Sequence, residues 1–219
     1  MIIENTQDKI VFDLPENYKN IGIKLSGGAD SAIVLYMLCK YIHDNEKICE
    51  INPITVCHAG KAFQLQFATK VIFYMQEKFP GIKFGKHFTG VNYHPESYAD
   101  VQKTVVDNCY KNKQIDCHFV GITKNPPQDI ADSFVVQPGP ADDRSAGKYR
   151  ETVLDNKIFR PLINIDKKGV KELYEYFGVL DDLFPLTRSC ETFTDDFSKH
   201  CEDKCWFCCE RYWGFGRYE

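Results

Sequence analysis

A short apolar run, Ile21 to Leu25, leads directly into Ser26-Gly27-Gly28-Ala29-Asp30-Ser31 and then into Ala32 to Ile42, which is apolar almost all round. The first segment has the length and polar borders of a buried strand, and the last reads as a buried helix. Two glycines between them let the chain turn sharply and keep Cβ atoms away from whatever the backbone approaches. The free N–H groups and positive end of the following helix then face the loop, so the unit is built to receive an anion.

Ser26 and Ser31 add hydroxyl donors, whereas Asp30 would repel a phosphate. Its carboxylate fits the loop if it caps the helix or shares a Mg²⁺ ion with the phosphates. The Walker string GxxxxGK[ST] is absent, which argues against a P-loop NTPase. The expected ligand is ATP, bound by Ser26, Gly27, Gly28, Asp30 and Ser31.

Further along, Ile51 to Cys57, Ile82 to Phe88 and Cys117 to Ile122 read as strands. Phe63 to Phe79 has helical spacing and stops before Pro80-Gly81, and Tyr98 to Tyr110 reads as a helix with Glu96 and Ser97 near its start. Lys167 to Phe177 reads as a helix with Asp166 as N-cap and Gly178 closing its C-terminus. Alternating strands and helices predict an α/β fold, with a mainly parallel sheet and helices on both faces. Ligands of such sheets sit beyond the carboxyl ends of the strands. Pro126 to Arg160, punctuated by prolines and glycines, reads as a long and partly irregular excursion of the kind that shapes substrate pockets.

The 219 residues suffice for one sizeable domain with a small appendage, here residues 1–186 and 187–219. No apolar run reaches the length of a membrane span, and the N-terminus lacks a signal-peptide pattern, so the cytoplasm is the expected compartment. The net charge of -4 disfavours a nucleic-acid partner. In the tail, Lys199, Lys204, Arg211 and Arg217 are outnumbered by Glu191, Asp195, Asp196, Glu202, Asp203, Glu210 and Glu219. That balance argues against a zinc module that binds nucleic acid.

Ten cysteines are distributed unevenly. Cys39, Cys49, Cys57, Cys109 and Cys117 are scattered and read as small buried hydrophobes. The others crowd the tail as Cys190-x10-Cys201-x3-Cys205-x2-Cys208, with Cys209 adjacent. Four thiolates close a tetrahedral zinc shell and make a structural Zn²⁺ site. Cys209 and His200 remain alternative ligands, and a redox CxxC is the rival reading of Cys205 to Cys208. Trp206, Phe207, Tyr212, Trp213 and Phe215 either pack the tail onto the sheet domain or stack a flat base. His58, at the end of the second strand, lies near the nucleotide or on the surface.

Ser26 to Ser31 resembles the SGGxDS signature of the PP-loop (N-type) ATP pyrophosphatase superfamily. The resemblance implies an adenine nucleotide alpha-hydrolase-like fold and adenylation of a carboxylate or carbonyl oxygen, with pyrophosphate as leaving group. Ser189-Cys190, then Cys201, Cys205 and Cys208, then Arg211 and Phe215, is similar to the tail of the 7-cyano-7-deazaguanine synthases. Arg160-Pro161-Leu162-Ile163-Asn164-Ile165-Asp166-Lys167 is similar to their Pro-Leu segment, whose helix-start lysine lies near the ATP phosphates. Lys167 takes that place here, against the plain alternative of a solvated lysine.

The resemblance covers residues 21–42, 160–178 and 187–215, and implies catalytic roles for Asp30 and Lys167. It also implies ATP, Mg²⁺ and Zn²⁺ as cofactors, and a deazapurine carboxylate with ammonia as substrates. A homodimer is compatible with it. Cys201-x3-Cys205 is one residue longer than the family spacing, and Pro126 to Arg160 lacks the family's proline-aspartate-cysteine-arginine string. Another acceptor, such as a modified nucleotide, a tRNA base or a protein end, is therefore the runner-up. A sulfonucleotide reductase relative is a further alternative.

Overall fold

The structure is a computed structural model that describes residues 1–59, 63–94, 98–134, 144, 149–190, 199–201 and 205–219. A hairpin of β1 (Ile2–Glu4) and β2 (Lys9–Val11) precedes the main sheet. That sheet contains β3 (Asn20–Lys24), β4 (Glu50–His58), β5 (Lys83–Phe84), β6 (Phe88–Asn92), β7 (Cys117–Val120), β8 (Val153–Leu154) and β9 (Ile158–Phe159). Its order is β5-β4-β3-β7-β9-β8, with β6 also beside β4. Every pairing is parallel except β8 with β9.

Helices cover both faces. Ile21, Ile23 and Ile51 join the main core with α1 (Ala29–Asp44), α2 (Phe63–Lys78) and α5 (Lys167–Tyr176). Ile54, on the opposite face of β4, packs with Val106 and Cys109 of α3 (Tyr98–Lys111). A strand covered on both sides loses the need for alternation, which is why Ile51 to Cys57 is buried without a break. The fold class is therefore the α/β arrangement expected from the sequence. Among the described residues no helix is long and apolar enough to cross a membrane.

One local reading is corrected, and two segments hold elements that the sequence did not reveal. The strand expected over Ile82 to Phe88 is two short strands, β5 and β6, split at residues 85–87. In β4 the odd-numbered residues face this edge, since the Gly85 N–H donates to the Ile51 carbonyl at 2.9 Å. Pro53 therefore faces it with no N–H to give, and the Asn52 side chain accepts from Lys86 N at 3.1 Å where the ladder lapses.

Among the described residues, the partly irregular excursion before Arg160 also contains short regular elements. It holds α4 (Gln128–Ser133) and the β8–β9 hairpin, which turns through Asp155 and Asn156, both at positive φ. Strands of two residues carry too short a pattern to read. Residues 135–143 and 145–148 of the excursion, and the Glu96 and Ser97 helix start, lie outside the described residues.

The tail also contains a helix, α6 (Trp206–Phe215), read in the sequence only as a Cys-rich segment. It packs on α5, and Phe215 stacks on Phe184 at 4.1 Å within the main core. The ends of α5 follow the sequence. Asp166 accepts from Lys168 N and Gly169 N, and Gly178 at φ +65° closes a Schellman motif with Val179 N donating to the Tyr174 carbonyl.

Candidate active site

The loop between β3 and α1 is held open by its own hydroxyls. Ser26 Oγ accepts from Gly28 N at 3.2 Å, and Ser31 Oγ donates to the Gly28 carbonyl at 3.1 Å. Gly27 adopts φ +79°, and a Cβ there would lie 2.7 Å from the Cβ of Phe67 on α2. Gly28 is the N-cap of α1 and its helix start has no side-chain cap, so first-turn N–H groups remain for a ligand. Asp30 lies in the first helical turn instead of capping it. Of its two expected roles, capping is excluded.

The chain leaves β3 toward β4 through α1 and returns through α3 to β7, on the other side of β3. The crevice between β3 and β7 is thus a topological switch point, the usual ligand position in such sheets. Gly121, just past β7, brings backbone against backbone there. A Cβ on it would sit 2.6 Å from Ser31 N and 2.7 Å from the carbonyl carbon of Asp30. Neither atom can swing away. Gly121→Ala is expected to cost about 1–3 kcal/mol of stability through overpacking, read by urea unfolding.

Two compartments meet at the loop and share Ser26, Asp30, Tyr98, Gly121 and Arg144. The larger, about 270 Å³, runs between apolar Ile54, Val56 and Tyr98 toward Lys24 and Gln102. Burial pulls the Lys24 ammonium below its ordinary value. The smaller, about 140 Å³, is polar and lies among Gln64, Arg144, Lys167, Arg188, Ser189, Phe207 and Glu210.

Lys167 is buried, not solvated, and its ammonium pairs with Asp30 Oδ2 across the cleft. Glu210 Oε2 lies 3.6 Å from the same ammonium, while Glu210 Oε1 accepts from Arg144 at 3.1 Å. Arg144 also donates to the Thr123 carbonyl at 2.9 Å. Two carboxylates and two cations thus form one cluster beside the Ser26–Ser31 loop. Among the described residues, Asp30 Oδ1 and Glu210 Oε2 are buried without a hydrogen-bond donor, leaving unused acceptor capacity.

Glu210 and Arg144 had no sequence signal. Glu210 counted there only toward the tail's surplus of acidic residues, yet it is fully buried. Arg211, counted among the tail's cations, is buried as well. It spends its N–H donors on Tyr218 O, Thr187 Oγ1, Ser189 Oγ, Phe184 O and Thr187 O. Its guanidinium is pushed down to about 10, by burial first, and stays charged at neutral pH.

The Sγ atoms of Cys190, Cys201, Cys205 and Cys208 all lie within 4.8 Å of one another. Tetrahedral zinc with sulfurs at about 2.3 Å sets them about 3.8 Å apart, and Cys201 Sγ lies 3.6 Å from Cys208 Sγ. The donor set fits one ion and is too tight for a cubane cluster, whose four irons stand between the thiolates. Hydrogen bonding to Cys190 and Cys205, then burial, raise the Cys208 thiol, so binding a metal would release protons.

Cys209 and His200 are outside this group. His200 Nε2 accepts from Ser189 N at 3.4 Å and its ring stacks on Tyr218. His58 stacks on Tyr98 at 4.3 Å, behind the larger compartment. Of the tail aromatics, Phe215 and Trp206 pack internally, Trp213 lies under Lys168, Tyr212 is exposed, and Phe207 lines the cleft.

No protein-family model matches the sequence, and no curated protein does. Among solved structures, the chain is similar to the U34-tRNA thiolase NcsA from Methanococcus maripaludis with its [4Fe-4S] cluster. Identity is 17% over 74% of this chain and 58% of that one, with a TM-score of 0.46. It is also similar to a glutamine-dependent NAD+ synthetase from Acinetobacter baumannii in complex with adenosine diphosphate. Identity there is 15% over 81% of this chain and 33% of that one, with a TM-score of 0.44. The chain thus spans less than two thirds of either protein.

Proposed function

We propose that this chain is a PP-loop ATP pyrophosphatase that adenylates a carboxylate and converts it with ammonia. The observation that carries the reading is the Ser26–Ser31 loop at the switch point, with Asp30 and buried Lys167 paired beside it. Loop amides and the start of α1 suit a leaving pyrophosphate. Lys167 can neutralise its charge, and Asp30 Oδ1 can share a Mg²⁺ ion, which would offset charge on the phosphates. The apolar compartment suits the adenine base, and the polar compartment suits the acceptor.

Alignment of a carboxylate oxygen with the α-phosphorus is the protein's main task. That oxygen forms the new P–O bond as the bond to pyrophosphate breaks. Ammonia then adds to the acyl carbon and AMP departs, giving an amide. A second ATP adenylates the amide oxygen, releasing pyrophosphate and one N–H proton, and loss of AMP and the second N–H proton from that imidate leaves a nitrile.

The cysteine tail supports 7-carboxy-7-deazaguanine as substrate and 7-cyano-7-deazaguanine as product, with Zn²⁺ on Cys190, Cys201, Cys205 and Cys208. In this reading the enzyme works in the cytoplasm on a small molecule and uses free ammonia or ammonia delivered by a partner. It needs no nucleic acid.

The test is incubation of metal-replete protein with ATP, Mg²⁺, ammonium and 7-carboxy-7-deazaguanine, followed by mass analysis. AMP, pyrophosphate and the nitrile are expected. Pyrophosphate without nitrile, restored by another acceptor, would move the assignment to that acceptor. ADP as the sole nucleotide product would exclude adenylation.

A further inference from the structure

α6 begins immediately after one cysteine of the metal cluster, Cys205, and carries a second, Cys208, in its first turn. Two residues on, the same helix presents Glu210 to the cleft. Its carboxylate is fully buried and spans two cations from distant parts of the chain, Arg144 at 3.1 Å and Lys167 at 3.6 Å. Gly214, one turn further, brings α6 directly onto the start of α5. A Cβ there would lie 2.3 Å from the Cβ of Lys167 and 2.9 Å from its carbonyl carbon. The metal-bearing helix is therefore seated on the residue that pairs with Asp30.

We infer that Glu210 is a positioning residue for the ATP chemistry: it holds the Lys167 and Arg144 cations at the phosphate loop, so the cysteine tail is part of the catalytic apparatus. The inference rests on the proposed function. Without a nucleotide, Lys167 answers two carboxylates, Asp30 and Glu210, and Arg144 answers one. Were Glu210 neutral, two like charges would share a buried cleft with Asp30 as their remaining anion among the described residues, and repulsion would move them apart. Glu210 itself is set by α6, whose first turn is tied down by the cysteine cluster and whose last turn is anchored by Phe215 in the core. Metal occupancy and cation placement are thereby linked through one rigid helix.

Glu210→Gln preserves shape and an acceptor for Arg144 but removes the charge. Metal content and melting temperature are measured first, then affinity for Mg·ATP by titration, then kcat and KM for pyrophosphate release. Metal is expected to stay bound, ATP affinity to fall about tenfold, and kcat to fall about 10²-fold, the size of effect that a misplacement of about 1 Å produces. Lys167→Met supplies the decisive comparison. If Glu210 acts through Lys167, adding Glu210→Gln to Lys167→Met costs much less than it does in the parent.

An ATP affinity and kcat within twofold of the parent overturn the inference. So does a loss that adds in full to that of Lys167→Met, because that is what a merely structural role gives. A parent protein that neither binds nor cleaves ATP overturns the proposed function itself, and this inference with it.

Discussion

Asp30→Asn is expected to slow pyrophosphate release by about 10³-fold, equivalent to about 4 kcal/mol of transition-state stabilisation, while metal on the cysteine cluster is retained. Two effects combine. The carboxylate pairs with Lys167 through Oδ2, and its Oδ1, which among the described residues has no hydrogen-bond donor, is the oxygen that the proposed function assigns to Mg²⁺. The amide supplies neither the charge that holds Lys167 nor a strong ligand for the ion. Folding should survive, because Lys167 keeps Glu210 nearby and Gly28, not Asp30, caps α1. Circular dichroism and urea unfolding check the fold, and a coupled pyrophosphate assay checks the rate. A variant turning over within tenfold of the parent would remove Asp30 from the chemistry.

Cys208→Ser is expected to act in the opposite way, losing metal and stability before anything else. Cys208 is fully buried among Cys190, Cys201 and Cys205, and a neutral hydroxyl is a poor substitute for a thiolate ligand. Structural zinc sites contribute folding energy directly, on the order of 10 kcal/mol in isolated zinc-finger peptides. Here part of that is retained by packing, since Phe215 stacks on Phe184 and Arg211 ties Thr187 and Ser189 to the C-terminus. A loss of about 3–5 kcal/mol would lower Tm by roughly 6–20 °C for a domain of this size. Metal per chain, by mass spectrometry, should fall in parallel, and chelation of the parent should reproduce the shift. A variant with full metal and an unchanged Tm would mean that the cluster does not hold the ion.

The strand-loop-helix unit around Ser26 to Ser31 was legible because each of its requirements is local. A strand, two glycines, flanking hydroxyls and a buried helix follow one another in the chain, and each constrains its neighbour. The cap at Asp166 and the stop at Gly178 were legible for the same reason. The break between β5 and β6 was not, because its cause lies on another strand: Pro53 of β4 withholds a donor from an edge about thirty residues away. The β8–β9 hairpin escaped because two residues cannot display a period.

Burial divided the charged residues in ways that composition could not. Glu210 and Arg211 looked like surface charge and proved to be buried, one facing the cleft beside the Ser26–Ser31 loop and the other stapling the tail. Lys167 stood between a solvated lysine and a phosphate partner until its burial against Asp30 settled where it points. Arg144 sits in a stretch with no pattern at all.

By itself the sequence determined the α/β fold class, the loop from Ser26 to Ser31 and the four cysteines, because local conformation and metal-ligand spacing are written within short stretches of chain. Only the tertiary structure decided which charges face one another. Asp30, Arg144, Lys167 and Glu210 are up to 180 residues apart, and folding alone takes them from water and makes each answer to the others.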